Sequence, residues 1–532
     1  MTISSYYSLA YLLVLLPLSV GCYGILPQKA RRVALLACNY AFFWAVSGKL
    51  LVFLLLSTLS VHHIGLWLSA IQQEADTRRP DTPKEQRKAL KAQYLFRQRL
   101  VLVFAGGLHI GILLALKYTP FFAANLNSLL RLLGLPMAVA VPSFVLPIGI
   151  SFYTLQAMGY LFDVYRRILP GDRNLLRLAL FMSFFPQIME GPICRYRQTA
   201  PALWEAPRLR FDNLVLGGQR ILWGMIKKMV VADRLNLMIQ NVFSHYDRYD
   251  GFVIALAAVG YTFQLYMDFS GTMDVALGSA QLFGISLPEN FQRPFFSRSI
   301  SEFWKRWHIT LGTWFKDYLF YPLSLSKPLK NLTTWGRKRL GNHYGPLLGG
   351  SLVLLCVWVC NGLWHGAGWQ YLFFGLYHFA LIAGGNAVDP LSAKLAAKLS
   401  ISRNSRPYRC FQILRTFLLV CLGELFFRAD GLRTGLAMAK RIFTAFSLES
   451  LQSGTLLTYG MDLQDYGVVL FTLLLVFLVG VLQEKGIPLR QSLGKTRLPV
   501  RFAAVYALAL FLVIFGAYGP GYIPVDPIYA AF

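Results

Sequence analysis

Of 532 residues, 55% are hydrophobic and only 14% are charged, against about 25% charged in soluble domains. That balance excludes an ordinary soluble enzyme of three or four domains and points to one polytopic membrane protein. The net charge of +27 would suggest nucleic acid in a soluble chain, but here the basic residues lie in short loops between apolar runs, the positive-inside pattern, and no nucleic-acid partner is expected.

The first apolar run, "SLAYLLVLLPLSVGCYGILP", has no basic segment before it and no A-x-A cleavage site. It reads as a retained span. Apolar run length predicts spans at about 8–27, 33–47, 50–71, 100–116, 141–161, 251–269, 347–364, 367–385, 411–428, 465–483 and 502–519. The loops 28–32, 72–99, 163–167, 195–210, 293–306, 327–339, 394–409 and 484–501 are basic and are placed in the cytoplasm. Alternation then lacks one crossing between 167 and 251. The segment 214–240 supplies it despite Lys227 and Lys228, and intramembrane lysines face protein, water or a headgroup. About 11–13 crossings result, with both termini extracytoplasmic.

The segment 175–193 has basic flanks on both sides and holds Pro186, Gly191 and Pro192. It reads as a re-entrant hairpin facing a cytoplasmic cavity, because irregular backbone at membrane depth must be buried in protein or line a cavity. The block 270–323 mixes charges, aromatics and glycine. Ser299 precedes Glu302 by three, which predicts a helix start near Ser299. Phe303, Trp304 and Trp307 against Lys305 and Arg306 make that helix amphipathic, with an interfacial anchor as its plain reading. The whole chain, 1–532, reads as a single membrane domain with a core at 141–385 and peripheral helices at 1–116 and 411–519. The seven cysteines, Cys22, Cys38, Cys194, Cys356, Cys360, Cys410 and Cys421, form no CxxC pair and read as small packing residues.

Eight histidines are present: His62, His63, His109, His245, His308, His343, His365 and His378. There is no HExxH, Cys/His cluster, P-loop or G-x-S-x-G elbow, so no bound metal or resident cofactor is expected. His365 stands in "CVWVCNGLWHGAGWQ", which lacks Lys, Arg, Asp and Glu. Burial favours the neutral imidazole, which can accept a proton from a hydroxyl nucleophile. A packing histidine is the competing reading. His308 is the second candidate. Asp268, Ser270 and Asn361 can orient a donor or a histidine, or can serve as helix caps and interhelical hydrogen bonds.

The stretches "LPIGISFYTLQ" (146–156), "SFFPQIMEGPICRY" (183–196), the block 264–323 and "NGLWHGAGWQYLFFGLYH" (361–378) resemble the membrane-bound O-acyltransferases. The likeness is to the bacterial branch of the alginate O-acetyltransferase membrane subunit and the D-alanyl transfer membrane protein. The ending "YGPGYIPVDPIYAAF" resembles the alginate-type members. The resemblance implies an all-α bundle around a cytoplasmic funnel with re-entrant elements. It maps the family's W-H-G histidine onto His365 and a second polar position onto His308, with Asp268, Ser270, Asn361, Arg306 and Trp364 in support. It also implies a cytoplasmic acyl donor, acetyl-CoA or an acylated carrier. The acceptor is an extracytoplasmic polysaccharide or a secreted or membrane-anchored SGNH-like partner, and the location is the cell membrane. Where alginate-type members often have "AGPI", this chain has "MEGPI" with Glu190. The alternatives are a transporter or flippase for a lipid-linked saccharide, D-alanyl-type transfer to a wall polymer, and a non-catalytic scaffold.

Overall fold

The computed structural model describes residues 5–518, so all but the first residue of the ending "YGPGYIPVDPIYAAF" lies outside the described residues. The protein is all-helical, at 79% helix with no strand among the described residues. In chain order the helices used below are α1 (Gln28–Ser47), α2 (Leu51–Arg78), α3 (Arg87–Leu132), α4 (Ile150–Tyr165), α5 (Phe211–Met225) and α6 (Gly251–Leu282). They continue with α7 (Ile300–Arg306), α8 (Ile309–Phe315), α9 (Lys327–His365), α10 (Trp369–Lys398), α11 (Arg406–Arg428), α12 (Leu463–Glu484) and α13 (Leu498–Phe515).

Among the described residues, eight helical segments are long and apolar enough to cross a membrane. They are Gln28–Arg78 (α1 and α2 joined by a short turn), α3, α6, α9, α10, α11, α12 and α13. The protein is therefore a multi-pass membrane protein. The span expected at 8–27 corresponds to the shorter apolar helix Ala10–Ile25. That expected at 141–161 is helical only from Ile150, after Pro147 and the left-handed Gly149 (φ 68°). Proline cannot donate to the helix ladder and restricts the residue before it, so the apolar run begins as irregular chain.

The segment expected at 214–240 is continuous helix with a π-turn at Ile226–Ala232, followed by Asp233–Ser244. The segment expected to be re-entrant is two short helices, Leu175–Ser183 and Phe185–Ile188, broken at Phe184. Residues 178–194 are buried throughout.

The chain divides into two compact units. In the first, residues 5–218 with 276–288, a ring cluster of Tyr6, Tyr11, Phe42, Phe185 and Phe283 forms a core. Its two buried phenols are satisfied: Tyr6 donates to the Phe185 carbonyl at 2.8 Å and Tyr11 to Ser279 Oγ at 3.0 Å.

The second unit, residues 219–275 with 289–518, is built on a core that includes Phe303, Trp307, Trp358, Phe374 and Phe427. Ser299 caps α7 as expected, its Oγ accepting from the Glu302 N–H at 3.1 Å. The helix is nevertheless only one to two turns long, and Phe303 and Trp307 are 1% and 2% exposed. Its apolar face is therefore spent on the protein core and not on a bilayer surface. Cys356 and Cys360 are exposed on α9, not packed between helices as expected, because the spacing that aligns them puts both on its outer face.

Candidate active site

Helices α9 and α10 form a hairpin whose backbones touch. A Cβ added at Gly362 would stand 2.4 Å from the Tyr371 carbonyl oxygen, and one at Gly375 would stand 2.3 Å from that of Trp358. Only glycine permits this approach. His365 is the last residue of α9 and is followed by non-helical residues 366–368 before α10 begins. It is 3% exposed. Its ring lies 5.0 Å from Trp364, 5.2 Å from Phe427 and 6.0 Å from Phe374, all edge to face. Asn361 sits one turn earlier, on the same face of α9 by its i, i+4 spacing. It is buried, and its Oδ1 accepts no hydrogen bond among the described residues.

His308 lies between α7 and α8 in the left-handed region (φ 44°, ψ 51°). A non-glycine residue held there carries roughly 1–3 kcal/mol of strain, which surrounding contacts must impose. Asn290 supplies them. Its Oδ1 accepts from the Thr310 N–H at 3.0 Å and the Thr310 hydroxyl at 2.9 Å, and lies 3.3 Å from His308 Nδ1. Its backbone carbonyl accepts from the Ile309 N–H at 3.0 Å. Because Oδ1 only accepts, this geometry assigns the proton of neutral His308 to Nδ1 and makes Nε2 the basic nitrogen. Burial pushes the His308 imidazole down to about 3, since a desolvated cation is disfavoured. The ring packs 4.8 Å from Phe269 and 5.5 Å from Trp364. Trp364 thus contacts both histidines, so the structure gathers His365, Trp364 and His308, with Asn361 on the same helix.

The remaining expected residues go elsewhere. Asp268 pairs with Lys228 at 2.9 Å, and Ser270 accepts from Lys227 at 3.0 Å. Arg306 is held by Glu302 at 2.8 Å and by Glu484 at 2.7 Å, where Arg293 also binds. His378, fully buried, takes the Trp304 indole N–H on Nδ1 at 3.2 Å and packs between Trp358 and Phe374. His378 is therefore held as a packing histidine.

A cavity of about 550 Å³ is lined by Asn290, the residue that holds His308. Asn290, Ser270 and Met273 line it together with Arg220, Lys227, Arg293 and Arg490. Arg220 is engaged by Asp274 at 2.9 Å and Glu289 at 2.6 Å.

Sequence reasoning missed Asn290 and Phe427. Asn290 stood inside the family-like block 264–323, in "LPENF", where its asparagine was a visible signal. Phe427 lies 62 positions beyond His365, and nothing local announces it.

Residues 41–335 match the profile of the membrane-bound O-acyltransferase family, a range that holds His308 and ends before His365. A probable alginate O-acetylase, AlgI, of Azotobacter vinelandii is 30% identical over 469 residues, 86% of this chain and 84% of its own. The peptidoglycan O-acetyltransferase of Helicobacter pylori is 30% identical over 369 residues, 64% of each chain. The teichoic acid D-alanyltransferase of Bacillus subtilis is 30% identical over 286 residues, 53% of this chain and 68% of its own.

Proposed function

The chain belongs to the membrane-bound O-acyltransferase family and is a membrane O-acyltransferase; on that premise we propose that it moves an acetyl group from cytoplasmic acetyl-CoA toward an extracytoplasmic polysaccharide, with His365 as the catalytic residue. The observation that carries this reading is the grouping of His365, Trp364 and His308, two buried imidazoles that both contact one indole. Likeness over 84% of an alginate O-acetylase supports acetyl and polysaccharide as the substrate classes.

The chemistry follows from a buried neutral imidazole. The base takes the proton of the acceptor hydroxyl while the oxygen attacks the thioester carbonyl. The carbon–sulfur bond then breaks, and the imidazolium returns the proton to the departing thiolate. Hydroxyl and thioester become ester and thiol, with no net proton change. The rings around His365 keep the site poor in water, which limits thioester hydrolysis. His308, with Nε2 as its basic nitrogen, can accept a hydrogen bond from the acceptor hydroxyl and so helps to orient it. The polar cavity sets Arg220, Lys227, Arg293 and Arg490 against Asp274 and Glu289, and the net positive lining favours the phosphates of a CoA donor. The basic loops support a donor side on the cytoplasmic face of the cell membrane, with both termini outside. The acceptor is the polysaccharide itself or a secreted SGNH-like partner that completes the transfer.

The test is acyl transfer by the purified protein from labelled acetyl-CoA, alongside His365→Ala. Removing a general base lowers the rate by about 10²–10⁴-fold. In cells the same variant should export polymer that is not acetylated. Acetylation at the normal level with normal expression of His365→Ala would overturn the assignment. Loss of polymer export would favour the transporter reading.

A further inference from the structure

Lys227 and Lys228 sit in the π-turn at Ile226–Ala232 and are 5% and 2% exposed. Each reaches α6. Lys228 binds Asp268 at 2.9 Å and Asp233 at 2.8 Å. Lys227 binds Asp274 at 2.5 Å and Ser270 at 3.0 Å. On either side along α6, the pattern continues with polar contacts. Arg220 binds Asp274 at 2.9 Å, and Gln264 donates to Asn236 Oδ1 at 3.0 Å and to the carbonyl of Ala232 at 3.3 Å. At Gly224 a Cβ would stand 2.5 Å from the Gly271 carbonyl oxygen, so the two helices meet at backbone distance. A slip of one residue along α6 would break every one of these contacts.

The stretch of α6 pinned in this way is the stretch that touches His308. Phe269, next to Asp268, packs its ring on the His308 imidazole at 4.8 Å. Met273, next to Asp274, receives the Asn290 side-chain N–H on its sulfur at 3.4 Å. The same asparagine holds His308 Nδ1 and the turn that follows. We propose that the Lys228–Asp268 pair is a positioning device for acyl transfer: it fixes the register of α6, and through Phe269 and Met273–Asn290 it fixes the His308 imidazole. This rests on the reading of His308 as part of the reacting site. Buried ion pairs are weak evidence of stability but are retained in some proteins where register matters. Here the register they set is that of a strained histidine.

The test is a double-mutant cycle on the full-length protein in nanodiscs, read by kcat and donor KM with labelled acetyl-CoA. Asp268→Asn is the first variant, because it is isosteric and leaves Lys228 paired with Asp233. The expected result is a kcat about tenfold lower, a donor KM within about twofold, and a melting temperature near that of the wild type. Lys228→Arg, which keeps the charge, should recover part of the lost rate relative to Lys228→Gln.

His308→Gln should lower kcat as well. The double variant Asp268→Asn/His308→Gln should then be no slower than His308→Gln alone. Additive losses, or wild-type kcat in Asp268→Asn, would overturn the positioning role while leaving His308 in the site. Wild-type kcat in His308→Gln would remove the reading on which the proposal rests, and the proposal with it. If Asp268→Asn does not accumulate as folded protein, the comparison of Lys228→Arg with Lys228→Gln, each combined with His308→Gln, decides on the same terms.

Discussion

Around His365 the chain supplies rings; around Lys227 and Lys228 it supplies carboxylates. Both sets of side chains are titratable and almost fully buried. The imidazole is surrounded by Trp364, Phe374 and Phe427. The ammonium groups meet Asp268, Asp233 and Asp274. The difference follows from charge. A histidine can enter an apolar site as a neutral group, at the cost of its affinity for a proton. Without a close anion, a buried lysine must lose its proton instead or leave a charge that the interior cannot solvate. The first arrangement leaves a group that can still exchange a proton with a substrate. The second locks its groups against their partners and suits them to holding helices in place.

That contrast can be broken most forcefully at the lysines. Lys228→Met should cost about 3–5 kcal/mol, because Asp233 and Asp268 are left without their cation; thermal unfolding in detergent measures it. A shift as small as that of a surface variant would mean that water reaches the pair and that the two regions do not differ as described. A smaller loss, about 1–3 kcal/mol, is expected for Gly375→Ala, which forces a methyl group against the Trp358 carbonyl and pushes the α9–α10 hairpin apart. The same substitution should lower acyl transfer, since the hairpin carries His365.

Smaller still is the expected stability cost of His365→Phe, below about 1.5 kcal/mol, because one ring replaces another among rings. Its activity should nevertheless vanish from the labelled acetyl-CoA assay, and a variant both stable and active would refute the catalytic role. The finest probe is pH. The folded-state pKa of His308 is depressed to about 3, below the unfolded value of about 6.5. The unfolded chain therefore binds the proton first, and stability falls as pH drops from about 6.5 toward 3. His308→Gln should flatten that part of the stability profile, measured by melting temperature against pH. An unchanged slope would show that His308 is not buried as a neutral group.

Much of the protein was legible without its fold. Apolar run lengths announced the long helices α1, α2, α3, α6 and α9 to α13, because crossing a bilayer demands about 20 apolar residues in a row. The Ser299 cap was legible for the same local reason: its partner lies three residues away. His365 was conspicuous because its neighbours in sequence are also its neighbours in space, Trp364 above all. The start of α4 and the short α7 were misjudged. Hydropathy reports which residues avoid water, not whether proline allows a helix or whether an apolar face meets lipid or protein.

What the sequence by itself determined was the class of molecule, and it singled out His365 as a candidate, since both are written in local composition and short-range pattern. Only the tertiary structure decided which partners the buried charges take. Asp268 and Ser270, 40 and 43 positions from Lys228 and Lys227 respectively, looked free to orient a histidine and are instead held by those lysines. The placement of Trp364 against both His365 and His308, and of Phe427 beneath His365, depends likewise on how α9, α10 and α11 pack. Periodicity fixes the face a side chain occupies on its own helix. Which group waits opposite it is set by the close approach of helices far apart in the chain, at Gly224 on Gly271 and Gly375 on Trp358.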